Sequence, residues 1–183
     1  MFVFGHIGLT IGLILVIIAL LKKTDLIYKL DFRLIAVFAL LPDIIDKVMG
    51  HVIFQEELNN GRLFGHTLVF LVIFAIVFIM LVGANWWIYT FPVIVHQLFD
   101  HLWNDLPIWL WPYYGWGFES RDIDLWTHWL SALLNNPYIQ ITELLGISVI
   151  IIIFAYFKIY SQKNFSYILR TGRLVEKNEN EDH

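Results

Sequence analysis

The chain has 183 residues, of which 58% are hydrophobic, 15% are charged and none is cysteine, with a mean hydropathy of +0.67 and a formal net charge of −4. A soluble domain runs at about 45–50% apolar residues and could not hide this excess in a single core, so the composition indicates a multi-pass integral membrane protein of the cell membrane. The small charge and the lack of a basic stripe argue against nucleic acid as a partner, and without cysteine a metal would have to be held by His and carboxylates.

A bilayer core about 30 Å thick takes roughly 20 apolar residues per helix. The first such stretch is Phe2 to Leu21. Lys22 and Lys23 follow it, and no small-residue cleavage site does, so it is expected to be a retained anchor rather than a signal peptide. The second, Leu34 to about Gly50, is interrupted by Pro42, Asp43, Asp46 and Lys47. The third, His66 to Val82, is the cleanest. The fourth, Trp86 to about Trp103, carries His96, Asp100 and His101. The stretch from Asn104 to Tyr138 contains WLWPYYGWGF; such rings prefer the headgroup level, which predicts a re-entrant or interfacial lid. The fifth span is Leu144 to Phe157, with a start as early as Ile139. From Ser161 the chain is polar and ends in EKNENEDH, expected to be a solvated, partly disordered end. The predicted fold is an all-α polytopic bundle of about five spans over residues 1–160, followed by a cytoplasmic tail over 161–183.

Lys22, Lys23, Lys29 and Arg33 lie between spans one and two, and Lys158, Lys163, Arg170, Arg173 and Lys177 follow span five. Positive loops stay cytoplasmic, so five spans place the N-terminus outside and the C-terminus inside. Arg62 and Arg121 then fall outside, against this bias.

An ionisable group inside a span costs about 2.5–3.5 kcal/mol on insertion scales and by default marks function. With this orientation His6, Asp43, Asp46, His66, His96 and Asp100 all fall near the outer end of their spans. Asp43 and Asp46 are spaced i,i+3 and His96 and Asp100 i,i+4, so each pair shares a helix face. Facing helices that each present such a pair are the usual way to build a metal site in a bundle. The six are therefore candidate ligands for one or two ions. Mixed imidazole and carboxylate suits zinc first, with manganese or iron as alternatives. Such an ion activates water and polarises a carbonyl or phosphoryl oxygen. Arg62, four residues before His66, is a candidate clamp for an anionic substrate, with Asp46 as a second catalytic candidate, a carboxylate base. His51, His101, Asp105, Asp122, Asp124 and His128 read as loop groups.

In order, His6, LPDIID with Asp43 and Asp46, GRLFGHT with Arg62 and His66, HQLFD with His96 and Asp100, and WLWP at Trp109–Pro112 resemble the membrane-bound metal-dependent hydrolases of the YdjM type, also described as LexA-binding, inner-membrane hydrolases. The resemblance runs from His6 to Pro112. That family shows an early His, PDxD, HRGxTHS opening a span, and a later HxxxD. Here Gly61 stands for the first His of HRGxTHS, Thr67 for its Ser, and Lys47 where a His often follows PDxD. The resemblance implies a hydrolytic metal site without defining a substrate. The expected function is a membrane-embedded hydrolase of an amphiphilic ester or phosphoester, with membrane lipids as partners. The alternatives are an ion or proton transporter, or a catalytically silent metal-binding membrane protein.

Overall fold

The computed structural model describes residues 1–83, 86–120 and 125–176. Their regular secondary structure is all helical, in the order α1 (Val3–Leu20), α2 (Phe32–Val48), α3 (Leu68–Val82), α4 (Trp86–Phe99), α5 (Leu106–Trp109), α6 (Leu125–Asn135), α7 (Pro137–Tyr156) and α8 (Gln162–Thr171). Short 3-10 turns and one π-helical stretch, Met49–Ile53, join them. α4 packs against α1, α2 and α3, and α1 also packs against α2 and α7.

Two of these helices, α1 and α7, are long and apolar enough to cross a membrane. Only 17% of the apolar window of α7 is buried inside the chain, which sets it apart from the core helix of a soluble protein. α2, α3 and α4, with 17, 15 and 14 residues, reach about 26, 22 and 21 Å at about 1.5 Å per residue, short of a full crossing. The fifth stretch begins at Pro137, before the earliest start the sequence suggests, because Asn136 caps it through hydrogen bonds from Tyr138 and Ile139 N–H. α3 consists of apolar residues alone and has no buried residue; such a surface is compatible with lipid and not with water.

The α1–α7 seam is built on small residues. Gly5, Gly8 and Gly12 follow one face of α1. A Cβ on Gly8 would run into the Gly146 backbone, and one on Gly146 into the Phe4 carbonyl. Small residues let helix backbones approach in this way where hydrophobic burial gives little drive. Above the seam stands Glu143, a buried side chain of α7 that the sequence reading passes over. Its carboxylate accepts from the backbone N–H of Phe2 (2.9 Å), Phe4 (3.1 Å) and Gly5 (2.9 Å). Phe2 offers α1 no side-chain cap, so α7 supplies the acceptor that the first turn lacks, at the positive end of its dipole. Glu143→Ala strands these donors and is expected to cost on the order of 3 kcal/mol, with Glu143→Gln, which keeps one acceptor oxygen, losing less. Thermal unfolding in detergent micelles would rank the two.

At the other end, Ile11, Ile14 and Ile18 of α1 pack with Leu30, Phe32, Ile35 and Ile88. Ile159 and Leu174 join this core, so the segment after Ser161 departs from the solvated end expected of it. α8 folds back onto the α1–α2 connection: Phe32 N–H donates to Gly172 O at 2.8 Å, and Arg33 Nη1 donates to Leu169 O and Arg170 O at 2.9 and 3.1 Å. Gly172 ends α8 with φ +72°, where a side chain would also strike Asp31. Asp31 caps α2 and is held below the ordinary carboxylate range, chiefly by hydrogen bonding from the Arg33 side chain. Residues 177–183 lie outside the described part of the chain.

Candidate metal centre

Four side chains from three places in the chain converge at the end of the bundle that carries Glu143. They are Asp43 of α2, His66 in the turn before α3, His96 of α4, and Asp100 just after α4. One ligand atom from each lies within 4.8 Å of all the others, and the group could hold a metal ion. His66 and His96 are fully buried.

The imidazoles are set by what lies behind them. His96 Nδ1 is 2.7 Å from Ala39 O, a carbonyl, so Nδ1 carries the proton and Nε2 is left as a lone pair. Pro42 lies one turn further along α2; its ring and missing N–H disturb the helix ladder there. His66 Nδ1 is 2.7 Å from Asp46 Oδ2, the pairing that in a neutral ring puts the proton on Nδ1 and the lone pair on Nε2. The two Nε2 atoms are 3.2 Å apart. At this distance the two nitrogens share either a proton or a metal ion; with both rings neutral and protonated at Nδ1, both lone pairs face the point where an ion would sit.

The remaining spacings suit one small ion. His66 Nε2 is 3.6 Å from Asp43 Oδ1 and 3.6 Å from Asp100 Oδ2, and His96 Nε2 is 3.8 Å from Asp43 Oδ1. A tetrahedral zinc with ligands at about 2.0–2.1 Å has ligand–ligand edges of about 3.3 Å. Four of the six edges lie within about 0.5 Å of that value, and the whole set lies within 4.8 Å.

Two of the six residues expected as ligands stand differently. Both Asp46 oxygens are engaged: Oδ1 accepts from Gly65 N–H (2.7 Å), and Oδ2 accepts from Leu63 N–H (2.6 Å), His66 N–H (3.2 Å) and His66 Nδ1. With its lone pairs engaged, Asp46 is neither a member of the group nor a free base. It holds the His66 turn, in the carboxylate–imidazole pairing that supports metal-ligating histidines. His6 is fully buried and stacks on His96 with ring centroids 4.0 Å apart and planes 16° from parallel. Its Nε2 is 3.2 Å from Asp100 Oδ1 without completing a hydrogen bond, so it lies beside the four. The Met1 amine donates to the same oxygen at 2.8 Å.

Two cations border the group. Lys47 Nζ donates to Asp43 Oδ2 at 2.8 Å, leaving Oδ1 to the imidazoles. Arg62, one third exposed, reaches Asp100 Oδ2 and Asp100 O at 3.4 and 3.3 Å and comes within 3.9 Å of Asp105. Arg62 therefore borders the group. A Cβ on Gly61 would meet His51 Nε2 at 3.2 Å, so His51 bounds the space at the position where the resembled motif has its first His. Gln97 is a further site residue that the sequence reading omits. It is buried, donates to Gly65 O (3.3 Å) and Thr67 O (3.1 Å), and accepts from Trp109 Nε1 (3.2 Å). Its signal is an amide beside His96 in an apolar helix. His101 adopts a left-handed conformation that ends α4, with its ring against Trp103 and Tyr138. Asp122 and Asp124 lie outside the described residues.

A helical chain with apolar helices able to cross a membrane, and a buried His/Asp group at one end of its bundle, defines a membrane protein with an internal cluster that could hold a metal ion. The chain belongs to the YdjM inner membrane protein family, whose model matches residues 1–165. No curated protein and no solved structure matches it.

Proposed function

We propose that this protein is a metal-dependent hydrolase embedded in the cell membrane, acting on an amphiphilic ester or phosphoester. Asp43, His66, His96 and Asp100 would hold the ion, zinc in the first instance and manganese or iron as alternatives. The observation that carries the reading is the convergence of Asp43, His66, His96 and Asp100, with one ligand atom of each within 4.8 Å of all the others and both imidazoles buried. When bound, the ion would supply Lewis acidity, polarising a carbonyl or phosphoryl oxygen so that water can attack the carbon or phosphorus that bears it. Asp46 and Ala39 O keep the two imidazoles in the ligating tautomer. Arg62 would turn from Asp100 to a substrate anion, since its partial exposure leaves it within reach of the surface.

The topology proposed with it has five membrane-inserted helices, the N-terminus outside and the C-terminus cytoplasmic. The contact between the basic α1–α2 connection and the basic α8 segment supports one shared side for both. Reading the chain as a transporter would require ionisable groups through the membrane depth, whereas this cluster occupies one end. A catalytically silent metal protein is favoured by one observation, the pairing of Lys47 with Asp43 and of Arg62 with Asp100, which already balances both carboxylates.

Purified protein loaded with zinc or manganese is expected to hydrolyse a lipid phosphodiester or ester. Arg62→Ala should lower turnover by about 10²–10³-fold, as loss of a transition-state donor does, with metal content unchanged. Bound metal with no turnover on any such substrate would sink the enzymatic reading and leave the silent one.

A further inference from the structure

Beside the metal centre runs an open groove of about 520 Å³, within the range of ligand sites. One wall is Leu68, Val69, Val72 and Ile73, a single face of α3; the other is the 110–113 segment after α5. Trp111 is fixed in that second wall. Its Nε1 donates to Trp116 O at 3.1 Å, and its ring lies parallel to Phe118 and edge-on to Phe64. Gln97 joins the two walls at one end, bonding Thr67 O before α3 and Trp109 Nε1 after α4. Leu68, at one end of the α3 wall, follows His66 by two residues, so that end of the groove lies near the metal centre.

We infer that this groove seats one hydrocarbon chain of an anionic phospholipid, with the headgroup at Arg62 and the four-residue centre. The inference rests on the reading of that centre as one acting on an amphiphile, and it names where the apolar part of the substrate lies. The walls select the occupant. The lining is almost wholly apolar, so a peptide laid in it would leave backbone N–H and C=O groups unpaired at several kcal/mol each in an apolar medium, while a methylene chain has no such groups. Arg62, partly exposed at the metal-centre end, complements an anionic head. The half-exposed α3 wall is continuous with the lipid-compatible face of that helix.

The test uses the full chain in vesicles of zwitterionic phospholipid doped with an anionic phospholipid brominated on its acyl chains, which quenches nearby tryptophan. Trp111 emission, taken as the difference between wild type and Trp111→Phe, is expected to quench saturably at low dopant and to recover when unbrominated anionic lipid competes. Val72→Phe fills the groove and should weaken this binding by about tenfold, the effect of withholding burial from about two methylenes. Quenching that rises only in proportion to dopant, or a Val72→Phe variant that binds as wild type does, overturns the inference. So does disulfide-linked dimer from Val72→Cys in this otherwise cysteine-free chain, because a second copy would then cover the groove. Lipid binding requires neither metal nor turnover. Saturable binding by a protein that takes up no metal and hydrolyses none of these lipids would therefore refute the hydrolase reading alone, and a metal-loaded, hydrolytic protein without it would refute the groove alone.

Discussion

Asp46→Asn is expected to weaken metal binding by about 10–100-fold, the usual effect of losing a partner behind a ligating histidine, although Asp46 does not belong to the four-residue group. The carboxylate accepts from three backbone N–H groups and from His66 Nδ1. An asparagine has one acceptor oxygen and an NH2 that only donates. Placed toward His66, that NH2 would donate to Nδ1 and drive the imidazole proton to Nε2, where it blocks the ion. His66→Ala and His96→Ala remove a ligand outright and should leave metal at background. Asp46→Ala is a poorer probe, because it strands three backbone donors at about 1–3 kcal/mol each and mixes folding with binding. Metal content by plasma emission spectrometry, followed by zinc titration of the stripped proteins, separates these cases. Undiminished affinity in Asp46→Asn would show that something other than Asp46 sets the His66 tautomer.

Gly8→Val and Gly146→Val should each destabilise the protein by more than about 3 kcal/mol, the upper end for overpacking a core. In both cases the added carbon meets backbone of the opposite helix, which cannot rotate aside as a side chain can. α1 would have to move off α7, breaking the three hydrogen bonds to Glu143 and shifting His6 from its stack on His96. Gly12→Ala is the internal control. Its Cβ would meet only a Val149 methyl at 3.1 Å, and a loss below about 1 kcal/mol is expected, since a small adjustment of one side chain relieves it. Unfolding midpoints in detergent for the three variants test the seam directly. Equal midpoints for Gly8→Val and Gly12→Ala would mean that α1 and α7 do not approach as closely as described.

Hydropathy, the positions of Lys and Arg, and the spacing of His and Asp along the chain are local properties. They make legible the helical membrane character, the apolar α1 and the bulk of α7, and the candidates Asp43, His66, His96, Asp100 and Arg62. Spacing shows which groups share a helix face, but not which of two carboxylates on that face is engaged by a neighbouring turn. That Asp46 holds the His66 turn while Asp43 faces the imidazoles is a property of the folded chain, because the donors that take up Asp46 come from 17 to 20 residues further along. Glu143 was invisible for the same reason, since it is a lone carboxylate in an apolar stretch until the first turn of α1, about 140 residues earlier in the chain, meets it. The segment after Ser161 reads as polar, yet Leu174 finds a place in the core and backbone carbonyls near Gly172 find donors at α2. Composition records how much apolar surface must be hidden or bathed in lipid. Which lone pair is left for an ion depends on donors brought together from distant parts of the chain, and only the folded arrangement sets that.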